Sequence, residues 1–356
     1  MCQAFAKKGH QVKLLASKRN TQEEKVIRDV FSFYNVDKCF GIKKLPYIDR
    51  RKSKLLYIIT ILLYPLLLLR EIKCFQPNIF YGRKLDACYF SVLLRYNTIF
   101  ESHSPEWFNQ RQRSIAFRIM VRSKKLEKII VISESLKKKY LKTFFLNPNI
   151  IDVVPDASDE VKVFERLKSW PGRKGILQVG YVGHLYQGKG MEVVSKLPQL
   201  MPDVDFHIIG GLVEDIIFWK KRLKSKNVYF HGFVPQNKIS RYINSLDVCL
   251  LPNQKSVFAY VANSEYSQNI SDYTSPLKLF EYMAHKKAII ASDLPVLREV
   301  LSEENSILVP PDDICAWKDA IIQLKDEKLR NRLGQAAHRE FIDKYTWGIR
   351  AQRVLN

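Results

Sequence analysis

Thr274-Ser275-Pro276-Leu277-Lys278-Leu279-Phe280-Glu281-Tyr282-Met283-Ala284 reads as the start of a helix. Ser275 is a good N-cap, and Pro276 fits the first helical position, where a missing N–H costs nothing. The amides of Leu277 and Lys278 then point out of a positive helix end, a ready cradle for a diphosphate. Glu281 lies four residues after Leu277 and three after Lys278, so it shares their face. A carboxylate there can accept both hydroxyls of a ribose. Standing alone, the same residues describe a capped surface helix with a solvated glutamate.

They do not stand alone. Gly180-Tyr181-Val182-Gly183-His184-Leu185-Tyr186-Gln187-Gly188-Lys189-Gly190 follows an apolar run and opens a further helix. Its glycines, Gly183 among them, permit close backbone approach, and Lys189 can neutralise a phosphate. Ile208-Ile209-Gly210-Gly211 and Phe230-His231-Gly232-Phe233 follow at the ends of the next two apolar runs. Three successive strand ends thus fall on the side where open α/β sheets bind ligands.

Short runs rich in β-branched residues alternate with longer helical segments throughout, the mark of βαβ units and mostly parallel sheets. Strands are expected near residues 12–16, 79–81, 98–101 and 129–132, then 176–182, 205–209, 228–230, 248–250, 288–291 and 306–309. The turn-rich stretch 153–175, with Pro155, Asp156, Asp159, Pro171 and Gly172, reads as a hinge. A chain of 356 residues suits two domains, and two domains imply a cleft. Residues 1–9 already read as an amphipathic helix, with Met1, Ala4 and Phe5 on one face. The opening strand of a doubly wound sheet is not in the sequence, so the first sheet is expected to have a gap at its centre.

Charge separates the halves. Residues 1–150 hold 30 Lys and Arg against 11 Asp and Glu, a net +19; the remainder holds 28 against 25, a net +3. A basic half attracts anionic surfaces, whether lipid or nucleic acid. Basic runs such as Lys137–Lys139 lack interleaved aromatics and no recognition motif accompanies them, which argues against nucleic acid. The apolar run Leu55–Leu69, 15 residues, covers about 22 Å, short of a hydrocarbon core of about 30 Å. Its flanks, Arg50, Arg51, Lys52 and Lys54 before and Arg70 and Lys73 after, suit the headgroup region; a core helix kinked at Pro65 is the equal alternative. No signal peptide is visible, and the six cysteines form neither a disulfide framework nor a zinc site, so a cytoplasmic home is the simplest.

With these motifs in place, the chain resembles glycosyltransferase family 4, retaining enzymes of the GT-B fold. Besides the loops above, the resemblance rests on Glu101-Ser102-His103-Ser104-Pro105, Val131–Lys137, Val153–Asp156, Asp247–Pro252, Ser292–Val300 and Tyr345-Thr346-Trp347. It implies an α/β molecule of two Rossmann-like domains facing across a cleft. Residues 1–158 form the acceptor side, with a C-terminal helix over 340–356 packing back on it, and residues 159–339 bind the nucleotide sugar. It makes Lys189 and the amides around Leu277 and Lys278 the diphosphate ligands, Glu281 the ribose ligand and Phe233 the holder of the base. Gly183, His184, Gly210, Ser275 and Pro276 belong to the same donor site, and His103 meets the transferred sugar. In front-face transfer the departing diphosphate helps deprotonate the acceptor, so positioning and charge stabilisation are the protein's task and no nucleophile is needed. No cofactor and no metal are expected.

Two departures stand out. Tyr273 occupies a position where many members carry a glutamate that touches the sugar, and His184 stands where many carry an arginine, a pH-dependent replacement. The partners implied are a nucleotide-sugar donor, a lipid-linked or anionic saccharide acceptor and an anionic membrane surface, with no nucleic acid. Peripheral placement on the inner face of the plasma membrane and a role in surface polysaccharide or lipopolysaccharide assembly follow. The alternatives are a basic nucleic-acid- or membrane-binding protein without transferase activity, or a sugar-nucleotide epimerase of the same fold, which would need a carboxylate pair not seen near Glu281.

Overall fold

A computed structural model describes residues 1–18, 27–46, 54–105, 111–257, 269 and 271–356, with residues 54–62 as backbone only. The chain forms two compact units, Met1–Val154 with Ala351–Asn356, and Pro155–Arg350.

In the first unit the helix Cys2–Lys7 buries Ala4 and Phe5, as their shared face predicts. The strands are β1 (Lys13–Lys18), β2 (Gly41–Pro46), β3 (Ile79–Gly82), β4 (Asn97–Ser102), β5 (Leu126–Val131) and β6 (Ile151–Val153). They are parallel and fall into two ladders, β1-β2 and β3-β4-β5-β6, with no pairing between the two among the described residues. Behind β4 an aromatic cluster fills the core. Phe117 lies 4.6 Å from Phe144 and 5.5 Å from Tyr140, whose hydroxyl donates to Ser102 at 2.7 Å. Helix Glu134–Phe144 starts where Ser133 accepts from Leu136 N, a side-chain cap that satisfies a first-turn amide.

The apolar run Leu55–Leu69 lies within one helix, Lys54–Phe75, that carries Pro65 in its interior. The side chains of residues 55–62 lie outside the described residues. From Leu63 onward the helix buries Leu68 and Ile72 while Leu63 and Leu66 stay exposed. Among the described residues no helix is long and apolar enough to cross a membrane.

The second unit holds one six-stranded parallel sheet: β7 (Leu177–Val182), β8 (Val204–Ile209), β9 (Val228–Gly232), β10 (Val248–Leu251), β11 (Ala288–Ser292) and β12 (Ile307–Val309). Their order is β12-β11-β10-β7-β8-β9. Both faces are covered: Trp317, Phe206 and Val248 pack on one side, Tyr282, Phe280 and Phe341 on the other. That explains why these strands read as continuous apolar runs. From β7 the chain winds one way through β8 and β9, then returns to lay β10, β11 and β12 on the opposite side. The reversal lies between β7 and β10, and the carboxyl ends of these two strands define the crevice where such sheets take ligands.

The end of the chain is two helices, Glu327–Lys344 and Trp347–Leu355, where one helix over 340–356 was expected. They part at Tyr345-Thr346 because Thr346 bridges to Ser158, and Trp347 N donates to Ser158 O at 3.2 Å. Buried Arg350 fixes the same corner by donating to Pro155 O at 2.8 Å. All six cysteines are free thiols.

Candidate functional site

At the reversal point, backbone bonds draw three strand ends into one floor. Gly183 N donates to Ile209 O at 2.9 Å, and Gly210 N to Gly232 O at 2.8 Å. Gly210 has φ +113, and a Cβ there would stand 2.3 Å from Gly183 O. Gly190, φ +103, is held as closely against Pro252, the residue after β10. Only glycine serves at these two places, and the lysine between Gly188 and Gly190 is thereby fixed beside the ends of β7 and β10.

Helix Leu277–Ala284 packs directly on β7: Val182 N donates to the Tyr282 hydroxyl at 2.9 Å. Here the expected cap is corrected. The helix begins one residue later, with Pro276 at the cap position and no side-chain cap bond. The Ser275 hydroxyl instead accepts from Asp156 N at 3.1 Å, a partner 119 residues away in sequence. The first-turn amides of Leu277 and Lys278 still lack intrahelical acceptors, as in any helix start.

The Lys278 side chain turns inward, its Nζ 4.1 Å from the centre of the Tyr181 ring and 3.4 Å from where a Cβ on Gly183 would sit. Lys189 places its Nζ 5.5 Å from the Tyr186 ring centre. Neither lysine makes an ion pair among the described residues. Burial pushes both ammonium groups below the ordinary lysine pKa, Lys278 the further, with the charge of Lys189 adding to the effect. The pair is a cationic seat whose charge is held at a cost until an anion arrives.

Glu281 Oε1 accepts from Gln236 Nε2 at 2.8 Å. Burial raises its pKa, and the Gln236 bond and Lys278 oppose that rise. His184 is exposed, its ring 5.6 Å from that of Tyr186, and its carbonyl accepts from the Tyr181 hydroxyl at 2.6 Å. Partial burial, then Lys189 and Lys278, lower its pKa. It therefore stands as a neutral imidazole beside the two lysines and adds no third charge. Phe233, 70% exposed, and Leu277, 50% exposed, complete the rim.

His103 closes β4 in the first unit. Its Nε2 lies 2.5 Å from Oε1 of the buried Glu101, which also receives the Tyr81 hydroxyl and lies 3.3 Å from Arg83 Nε. Nothing in the sequence signals Gln236 as a partner of Glu281, since it opens a separate helix, Gln236–Ser245, three residues past Phe233. Among the described residues no group of three or more His, Cys, Asp and Glu could hold a metal ion.

Comparison with known proteins bears on both units. Residues 1–160 match the family model described as "Glycosyltransferase Family 4", and residues 177–327 the one described as "Glycosyl transferases group 1". A curated relative, the phosphatidyl-myo-inositol mannosyltransferase of Mycobacterium leprae, is 29% identical over 173 residues, 47% of this chain and 42% of the relative. The match thus spans less than half of that relative's length. Among solved structures, sucrose-phosphate synthase from Thermosynechococcus elongatus superposes with a TM-score of 0.71 at 18% identity, covering 99% of this chain and 89% of the other. HepE of Anabaena, in complex with UDP and glucose, gives 0.65 at 14% identity, covering 97% and 98%. At these identities the likeness is one of fold, GT-B.

Proposed function

Because the chain belongs to glycosyltransferase family 4, we propose that it moves a sugar, with retention, from a nucleotide-sugar donor to an anionic or lipid-linked acceptor in surface polysaccharide or lipopolysaccharide assembly. The observation that carries the reading is the pair of half-buried lysines, Lys189 and Lys278, set without ion-pair partners among the described residues at the reversal point of the second sheet. Such a seat fits a diphosphate better than any neutral ligand. It stabilises most when the glycosidic bond breaks and negative charge grows on the departing phosphate, which is where catalysis gains. Glu281, steadied by Gln236, takes the ribose hydroxyls, and Phe233 holds the base through its backbone. His103, its ring held by Glu101, meets the transferred sugar, and the departing diphosphate helps take the acceptor's proton. The lysines and the helix start neutralise the diphosphate, so no metal is required.

The test is titration calorimetry with UDP and with GDP. One nucleotide is expected to bind, and Glu281→Ala to weaken it about tenfold or more, since two hydroxyl contacts to a charged group are lost at about 1.5 kcal/mol or more. A folded chain that binds neither nucleotide sinks the transferase reading.

The acceptor side of the proposal is a membrane surface. Helix Arg111–Val121 exposes Ile115 and Ile119, one turn apart, beside exposed Arg111, Arg118 and Arg122. Apolar side chains ringed by arginines suit an anionic leaflet at the inner face of the plasma membrane, where each cation contributes about 1 kcal/mol. The double substitution Ile115→Ser with Ile119→Ser is expected to weaken sedimentation with phosphatidylglycerol-containing vesicles at least tenfold. Binding that is unchanged, or equal on purely zwitterionic vesicles, would dismiss this face.

A further inference from the structure

Asn253 is 1% exposed, yet neither its Nδ2 nor its Oδ1 has a hydrogen-bond partner among the described residues. Glu192 Oε2 and Ser292 Oγ are buried in the same condition. Leaving a buried polar group unpaired costs about 1–3 kcal/mol, and native structures keep very few. All three follow the carboxyl ends of neighbouring strands of the second sheet, Glu192 after β7, Asn253 after β10 and Ser292 at the end of β11. Asn253 follows β10 by two residues, and Ser292 ends β11, one step beyond the paired Leu251 and Ala291. Gln254 N donates to Gly188 O at 3.0 Å, and Gly188 N donates to Glu192 Oε1 at 2.9 Å. The segment that carries Asn253 is therefore bonded to the turn that carries Lys189.

The chemistry of the set selects its occupant. A carboxamide, a hydroxyl and a carboxylate oxygen together offer donors and acceptors, which suits a group whose own atoms both donate and accept. A phosphate, acceptor only, would meet the Glu192 carboxylate and the Asn253 oxygen with nothing to give them. Hydroxyls fit, and hydroxyls carried next to a diphosphate are those of the transferred sugar. We propose that Asn253, supported by Glu192 and Ser292, hydrogen-bonds the sugar of the donor and decides which nucleotide sugar binds. This assignment rests on the donor-site reading above and adds the residue that discriminates between donors.

A site built to hydrogen-bond a hydroxyl loses selectivity steeply when its polar partner is removed. The experiment compares, by calorimetry, UDP and GDP with UDP-glucose, UDP-N-acetylglucosamine and GDP-mannose, on the unchanged protein and on Asn253→Leu. The unchanged protein is expected to bind one nucleotide sugar more tightly than its diphosphate. Asn253→Leu should keep the diphosphate affinity within about twofold and weaken that nucleotide sugar at least tenfold. Melting curves identify a variant that fails to fold, in which case Asn253→Ser takes its place with the same expectation. If the diphosphate binds and the variants hold the nucleotide sugar as tightly as the unchanged protein, the assignment is overturned while the donor site stands. It is overturned likewise if no nucleotide sugar in the panel binds more tightly than its diphosphate. A chain that binds neither UDP nor GDP removes the donor site and this assignment with it.

Discussion

Lys278→Met is expected to weaken nucleoside diphosphate binding about a hundredfold while leaving the ligand-free protein as stable as before, or more so. Methionine keeps the stem that packs over Tyr181 and removes only the charge. In the ligand-free protein that charge is a burden: the half-buried ammonium is poorly solvated and Lys189 repels it, Glu281 offsets only part of this, and no carboxylate lies within ion-pair distance among the described residues. A bound diphosphate reverses the sign. Removing one partner of a buried charge pair costs about 2–5 kcal/mol, and each 1.4 kcal/mol is tenfold in affinity. The direction of the pKa shift adds a second readout. Folded, ligand-free protein holds Lys278 with a depressed pKa, so between that value and the ordinary lysine pKa the unfolded chain binds more protons. Ligand-free stability therefore gains from this group as pH rises through that window. Diphosphate binding takes protons up over the same window, so affinity falls as pH rises and the calorimetric enthalpy varies with the ionisation heat of the buffer. Lys278→Met should reduce that proton uptake to the share of Lys189. Tight, buffer-independent binding by the variant would mean that the phosphates lie elsewhere.

The sequence exposes the anion seat only in outline, and the reasons are physical. Every strand expected from an apolar run is present with its ends moved by a few residues, and in the second unit this is because a strand covered on both faces must be apolar along its length. β2 escapes that logic. Among the described residues Gly41-Ile42-Lys43-Lys44-Leu45-Pro46 pairs only with β1, and it carries two lysines, so it has no continuous run to betray it. β6 is three residues long and ends where the expected hinge begins. The helix that opens at Leu277 is legible from Pro276, but its cap is not. Asp156 N, brought in by tertiary structure, takes the Ser275 hydroxyl, and no local rule could report a competitor so distant in the chain. Lys278 shows the same limit from the other side. Its position in the first turn is plain from the sequence, while the inward course of its side chain over Tyr181 depends on how the helix packs against β7. Asn253 has no sequence signal at all, since its meaning comes from the absence of partners in a folded environment.

Gly210→Ala is the second large effect, and it joins stability to the site. The methyl group would stand 2.3 Å from Gly183 O and 3.1 Å from Gly183 C, both backbone atoms that no rotamer change can move. To admit it, the ends of β7 and β8 must part, which strains the Gly183 N bond to Ile209 O and the Gly210 N bond to Gly232 O. Overpacking of this kind costs about 1–3 kcal/mol, and a side chain at positive φ adds about 1–2 kcal/mol. The sum, about 2–5 kcal/mol, corresponds to a melting midpoint lowered by roughly 5–15 °C for a unit of this size. Gly175→Ala supplies the control, because Gly175 also has positive φ, +75, but nothing lies within 4 Å of its added Cβ. It should show the backbone cost alone and leave diphosphate binding intact. Gly210→Ala should lose more stability than Gly175→Ala and bind diphosphate weakly even when folded, since Gly183 and the Lys278 ammonium beneath it shift together. Equal losses in the two variants would show that the floor of the site yields to a methyl group, and the tight closure of β7, β8 and β9 could then not be what positions the cationic seat.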